Sequence, residues 1–287
     1  MSPRPPSGRA PIDRALARAA ARAGEPGGIR FTERQLYYEL CRVLRPLHAG
    51  PRRIPYTLAP PVTYRRFAEA LARTGGLPGL LPAPAPAAPV RTAGSDLSDL
   101  SDLSDLSDLY DYGFPRLLVC QDRSVARMLI ANDLHLEAAC PVFAAEDLPL
   151  DPRLSAALDR AGDAVIHVLH DASPAGLACY RKVRDAHALP TRSMGLVPRH
   201  AGALHLTAGR APGPLRGPLP EHLTAGLRPA ERAWLASGRF SEVAAVNPAR
   251  LLRAVIRTVR GTTGTRTPVR QHLRGLREAG FMTWPTP

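Results

Sequence analysis

A chain of 287 residues that is 45% hydrophobic can bury one or two cores, and its apolar runs are too short to span a bilayer or to form a secretion signal. The formal charge of +13 points to a polyanionic partner, although Lys182 is the sole lysine and the 31 prolines share the arginines' GC-rich codon bias, so total charge overstates that case. Cys41, Cys120, Cys140 and Cys179 form no Cys-x-x-Cys pair and have no histidine at zinc spacing, which argues against a zinc module and for free thiols in a cytoplasmic protein without membrane contact.

The distribution of charge says more than its sum. Residues 1–94 hold 15 basic and 5 acidic side chains and residues 199–287 hold 14 and 4, so each flank carries +10. Residues 113–198 hold 9 and 10, and the stretch 95–112 adds six aspartates. Basic flanks around a carboxylate-bearing centre suit a protein that grips a phosphate backbone on either side of an acidic site; the same pattern also suits a merely solvated basic surface.

In chain order, residues 1–11 are proline-rich and read as disordered, and residues 12–90 as a helical, winged-helix-like DNA-binding domain. Ile12, Leu16, Ala19, Ala20 and Ala23 recur at helical spacing opposite Arg14, Arg18 and Arg22, with Gly24 as a stop. Thr32 and Gln35 form a capping box for a second helix, "FTERQLYYELCRVL", where Phe31 can staple onto Leu36 and Leu36, Tyr37, Leu40, Cys41 and Leu44 make one apolar stripe. A third helix is predicted over 64–74, ended by Gly75 and Gly76, and Arg42, Arg45, Arg65 and Arg66 give these helices basic faces.

Five copies of Ser-Asp-Leu fill 95–109, a period matching neither helix nor strand, so residues 91–112 read as an acidic linker. Strands and helices then alternate: strand 114–120, helix 124–134, strand 140–145, helix 152–161, strand 164–170, helix 174–188 and strand 193–198. The alternation predicts an α/β domain over 113–200 with a Rossmann-like parallel sheet and its functional groups at the strands' carboxyl ends, here "CQDRS" and "HDASPAG". Residues 201–287 read as a basic helical tail. Asn247 and Pro248 open a helix with Arg250, Arg253, Arg257 and Arg260 along one face, and Thr267 and Pro268 open another that carries Arg266, Arg270, Arg274 and Arg277.

Tyr37 belongs to the apolar stripe and reads as core. Tyr38 points elsewhere, with Arg34 and Arg42 one turn away on either side, an arrangement expected to favour phenolate and to hold a phosphate beside the hydroxyl; a tyrosine that only contacts phosphate or covers a surface would look the same.

"RQLYYEL" resembles the catalytic-tyrosine motif of the topoisomerase VI A subunit and the related meiotic double-strand-break proteins, which join a winged helix to a Toprim sheet. "RLLVCQDRSV" and "VIHVLHDASPAGL" are similar to the two metal-binding strand ends of that Toprim fold, and the order of modules agrees over roughly residues 12–200. Beyond residue 201 the chain is loosely similar to the nuclease subunit of Wadjet-type plasmid defence. The resemblance implies double-stranded DNA as partner, Tyr38 as the attacking residue assisted by Arg34, magnesium at Asp171, a homodimer and an ATPase partner subunit; Asp122, one residue past the family's ligand position, serves as a second ligand only if its side chain turns inward. The chain departs from the pattern at Gln121 and Ser173, where the family carries carboxylates, and removing two anions weakens any magnesium site. The reading therefore favours an impaired or non-catalytic DNA binder over an active transesterase. A Rossmann-like protein that binds a small phosphate ligand at "HDASPAG" is the alternative; Gly-x-Gly-x-x-Gly, Gly-x-Ser-x-Gly and P-loop motifs are missing from the sequence.

Overall fold

The computed structural model describes residues 9–49, 54–83, 115–149, 152–211 and 219–261. Residues 1–8 of the disorder expected at the front, the 91–112 linker, and the second arginine-rich helix with Arg270 and Arg274 lie outside the described residues.

Three helices open the fold: α1 (Arg9–Ala23), α2 (Glu33–Leu44) and α3 (Tyr64–Thr74). The capping box forms as the sequence predicts, with the Gln35 amide donating to Thr32 Oγ1 at 3.1 Å and the Thr32 amide donating to Gln35 Oε1 at 2.9 Å. α1 packs on α2, burying Leu16, Ala19 and Ala23 with Leu36, Leu40 and Phe67. The described residues before the sheet contain no β-hairpin of the kind a wing would supply; their strand-like contacts are single bridges, Phe31 to Leu80 and Leu58 to Thr207.

The centre is an α/β layer: β1 (Arg116–Cys120), α4 (Arg123–Ala131), α5 (Leu134–Glu137), β2 (Val142–Ala144), α6 (Pro152–Arg160), β3 (Val165–Leu169), α7 (Pro174–Ala186) and β4 (Thr191–Ser193). The four strands are parallel in the order β2-β1-β3-β4. Side chains alternate across the sheet: Leu117, Val119, Ile166 and Val168 pack against Leu154 and Leu158 of α6 and Val183 of α7, while Leu118 and Cys120 face the other core. Covering both faces explains why these strands read as unbroken apolar runs. β4 ends before the predicted 193–198 strand begins in earnest, because the Leu196 amide turns in to donate to the His170 carbonyl and Pro198 starts a helix.

After the sheet come α8 (Pro198–Ala203), β5 (Gly209–Arg210), α9 (Glu221–Thr224), α10 (Pro229–Ala236), β6 (Arg239–Phe240) and α11 (Pro248–Val259). β5 and β6 pair antiparallel, so the segment expected to be a helical tail also contributes a small hairpin-like sheet. Asn247 caps α11 through its side chain and Pro248 occupies the first turn, as predicted. One buried cluster runs from Leu16 and Leu36 through Leu118, Met128 and Leu129 to Leu251 and Val255, so α1–α3, one face of the sheet and α11 share a core. No helix among the described residues is long and apolar enough to cross a membrane.

Candidate functional site

Because β1 is followed on one side by β2 and on the other by β3, the chain reverses its direction of growth between β1 and β3, and the crevice at their carboxyl ends is where ligands bind in open α/β sheets. Gln121 and Asp122 follow β1; His170 and Asp171 follow β3. The Asp171 amide donates to Gln121 Oε1 at 2.9 Å, tying the two strand ends together. Gly176 is required just beyond, since a Cβ there would collide with the Asp171 backbone and crowd Gln121.

This crevice is covered from above. Ala172 and Ser241 exchange backbone hydrogen bonds at 2.9 and 3.1 Å, and the Val243 amide donates to Asp171 Oδ1 at 2.7 Å. The 241–243 segment thereby projects Glu242 at the start of α2. There Arg34 donates from Nε to Glu242 Oε2 at 2.6 Å and from Nη2 to Oε1 at 2.5 Å, a bidentate ion pair. The guanidinium carbon lies 4.7 Å from the Tyr64 ring centre and 5.7 Å from those of Tyr37 and Tyr38.

The sequence reading placed Tyr37 in the core, and it is there, its hydroxyl donating to the Val62 carbonyl at 2.8 Å. Tyr38 was expected at an open surface between two cations that favour its phenolate. It is instead only 3% exposed, and its pKa is driven upward, first by burial and then by the adjacent Glu242 carboxylate, which together outweigh Arg34. Arg42 turns away from it, donating to Glu39 Oε1 at 2.5 Å and to the Ala245 carbonyl. Tyr38 and Arg34 lie beside Glu242, and Asp171 is within electrostatic reach of both Glu242 and Arg34 in the same chain.

Asp171 is held up to about 7, chiefly by burial, with Glu242 and Asp122 adding to the rise and the Val243 amide and Arg34 opposing it. Asp122 is exposed and caps α4, its Oδ1 accepting from both the amide and the hydroxyl of Ser124 at 2.7 Å. Gln121 and Ser173 supply neutral oxygens that already accept from the Asp171 and Gly176 amides. A hard divalent cation needs several converging anionic oxygens, and here Gln121 and Ser173 are neutral, Asp122 is turned to cap α4 and Asp171 Oδ1 accepts from the Val243 amide, so the donors as arranged do not fit magnesium. No cluster of three or more His, Cys, Asp or Glu side chains suited to a metal occurs among the described residues. His170 pairs with the Asp171 backbone carbonyl (3.0 Å) and Ser193 Oγ (2.8 Å), its ring lying against Gly195.

The arginines expected to touch DNA divide between two regions. Arg65 and Arg66 are exposed on α3, where Arg65 pairs with Glu69 at 3.3 Å on its own helix. Arg250, Arg253 and Arg257 are exposed along α11. The beginning of α11 is stitched to α2 because Asn247 Nδ2 donates to Glu39 Oε1 at 2.8 Å, the same oxygen that binds Arg42. Burial disfavours the charged form of Arg42, and Arg22 of α1 and Arg250 of α11 lie near enough to add to that effect. Three helices thus bring arginines to one neighbourhood. Arg45 sits at the exposed end of α2.

Glu242, Glu39 and Asn247 were not picked out as site residues. The one available signal for Glu242 is its rarity, as one of four carboxylates in the strongly basic stretch 199–287. Compared with family models, curated proteins and solved structures, the chain finds no match.

Proposed function

We propose that the protein binds double-stranded DNA through the arginine face of α1, the end of α2 and α11, and that the Tyr38–Arg34–Glu242–Asp171 junction serves as a structural clasp and not as a cleavage site. The observation that carries the reading is the row of exposed arginines Arg250, Arg253 and Arg257 along α11, with Arg22 of α1 and the Glu39-paired Arg42 of α2 within electrostatic reach of its beginning. Exposed cations spaced along one helix face suit a phosphate backbone, whose condensed counterions they displace. The motif order of the topoisomerase VI A type supports the same partner, and it is the sole ground for a homodimer or an ATPase subunit. The clasp follows from chemistry: a buried phenol beside a carboxylate is a poor nucleophile, and an arginine held by both oxygens of Glu242 has little charge left for a scissile phosphate.

Anisotropy of a labelled duplex titrated at several salt concentrations tests the face. Binding should weaken steeply with salt, and the Arg250→Ala/Arg253→Ala/Arg257→Ala variant should lower the log–log slope by about 2 to 3, one unit for each phosphate that an arginine no longer neutralises. Failure to retain duplex at about 50 mM salt, or an unchanged slope in the variant, refutes the reading.

A second reading, DNA cleavage by transesterification, is favoured by one observation, the stacking of Arg34 near the Tyr38 ring with Asp171 within electrostatic reach of Arg34. It requires the clasp to open. Denaturant quenching after incubation with DNA and a divalent metal tests it: protein covalently attached to DNA, lost in Tyr38→Phe, would establish cleavage, and no adduct under any metal would leave the clasp.

A further inference from the structure

The apolar stripe of α2 outruns the core. Leu44, which helical spacing groups with Leu36, Leu40 and Cys41, is 41% exposed, whereas those three are buried. Leu47, in the short helical turn Pro46–Ala49, is 55% exposed, Ile54 71% and Leu204 39%. Only two other large apolar side chains stand exposed among the described residues: Tyr64, whose hydroxyl donates to Glu33 Oε1 at 2.6 Å, and Leu136 on α5. One framework gathers the patch, and Tyr56 is its centre. The Tyr56 hydroxyl donates to the Leu47 carbonyl at 2.7 Å, its amide donates to the Gly202 carbonyl at 3.2 Å, and its ring stacks on that of His205 with 4.0 Å between centres. His205, which directly follows Leu204, reaches the Ile54 carbonyl through Nε2 at 3.2 Å, and Pro55 packs against Gly202. Backbone pairing of Leu58 with Leu206 and Ala208 continues the framework. A surface fixed in this way loses little freedom when a partner settles on it.

The charge around the patch has one sign. No Asp or Glu occurs in the sequence between Glu39 and Glu69 or between Asp185 and Glu221, the two stretches that build it, while Arg45 is exposed between Leu44 and Leu47. That balance selects the occupant. A second copy seated about a two-fold axis would set Arg45 against the same carboxylate-free surface, with no ion pair to offset the repulsion. An anionic bilayer calls for a cluster of roughly four to eight cations, and the stretch 43–63 carries three, Arg45, Arg52 and Arg53. A nucleic-acid backbone would satisfy Arg45 and leave the leucines and isoleucine in water. The surface that answers both features is a peptide segment with apolar side chains along one face and carboxylates at its margin.

We infer that the patch of Leu44, Leu47, Ile54 and Leu204 docks an acidic amphipathic helix of a partner protein, with these side chains at the centre of the contact and Arg45 pairing with a carboxylate at its rim. The inference goes beyond duplex binding and is independent of Arg250, Arg253 and Arg257, on which the duplex test turns.

Anisotropy of two labelled peptides titrated with the full chain tests it. Each is about 16 residues long with leucines at i, i+3, i+4 and i+7 spacing, one carrying glutamates at the remaining positions and the other lysines. The acidic peptide should bind saturably and the basic one should not. Affinity for the acidic peptide should fall about tenfold or more in Leu47→Ser, in Ile54→Ser and in Arg45→Glu, and should be unchanged in Leu136→Ser, which removes an exposed leucine elsewhere, on α5. All these side chains are exposed, so the variants are expected to melt with the wild type, and because Leu47 and Ile54 lie on different segments, misfolding of one variant leaves the other to decide. No binding of the acidic peptide at about 1 mM overturns the inference. So does equal binding of the basic peptide, or binding that none of the three patch variants weakens. Sedimentation of the chain with phosphatidylserine vesicles that is lost in Ile54→Ser would make the patch a membrane contact instead, and a dimer in sedimentation equilibrium that Ile54→Ser dissociates would make it a self-interface; either result also overturns the inference. Acidic-peptide binding in a protein unable to hold duplex would refute the arginine face and leave the patch standing.

Discussion

Arg34 owes its place to a carboxylate 208 positions away, and removing either partner leaves the other's charge half-buried with nothing to meet it. Arg34→Ala is expected to cost about 2–3 kcal/mol in urea unfolding, and Arg34→Ala/Glu242→Ala less than the sum of the two single changes. Additive effects would mean that the ion pair contributes nothing. Asp171 behaves differently. Burial raises it from 3.8 to about 7, so between those values the native state keeps a proton that the unfolded chain has released, and stability falls as pH rises through that window. Asp171→Asn retains an Oδ1 for the Val243 amide while discarding the charge. Its melting temperature should exceed the wild-type value at pH 8 and converge with it near pH 4; parallel curves would show that Asp171 titrates normally. Tyr37 as core and the Thr32 cap were legible because their partners lie near in sequence or follow from periodicity. The burial of Tyr38 was not, since helical spacing records neighbours on the same helix and is silent about Glu242.

Among the elements, β3 contains the sheet's one discordant residue. His167 is 4% exposed, pairs in register with Leu118 and Arg192, and has an unpaired Nδ1. Burial lowers its pKa to about 4, with Arg192 and Arg116 reinforcing the effect. Here the unfolded chain binds the extra proton, so stability is lost as pH falls from the ordinary histidine value of 6.5 toward 4. His167→Leu should therefore melt a few degrees higher at pH 5 and flatten the acid limb of the stability curve, measured by circular dichroism; a lower melting temperature at every pH would mean that the imidazole packs better than leucine. The alternation of strands and helices was readable because β1 and β3 are covered on both faces and α4 and α7 open on the side-chain caps Asp122 and Ser173. β4 was misplaced because an apolar run does not reveal where Gly195 must yield to the His170 ring, and β5 and β6, two residues each, are too short for any period to register.

At the scale of the molecule, the sequence divides into basic, neutral and basic thirds, and that division suggested separate modules. The described residues instead share a core in which Leu118, Met128 and Leu129 of the sheet layer touch the same cluster as Leu36 and Val255. Charge sits on the surface and reports nothing about which apolar faces meet beneath it, so the continuity of the core was not legible. A fragment spanning 115–211 would expose that whole face to water, at roughly 25 cal/mol per Å² of apolar surface. Size-exclusion chromatography should find it aggregated or unfolded; a monodisperse, cooperatively melting fragment would mean that the sheet is an independent domain.

The clasp between Arg34 and Glu242 also sets a timetable. At synthesis rates of 5–20 residues per second, the 208 positions between them correspond to a delay of about 10–40 s during which α2 has left the ribosome and its partner has not. Through that interval the nascent helices cover their apolar stripes only partly against one another, and the faces that later meet the sheet layer and α11 stay open. Completion of the native state is thereby tied to emergence of the 241–259 segment, and the newborn polypeptide is left dependent on whatever shields hydrophobic surface in the meantime.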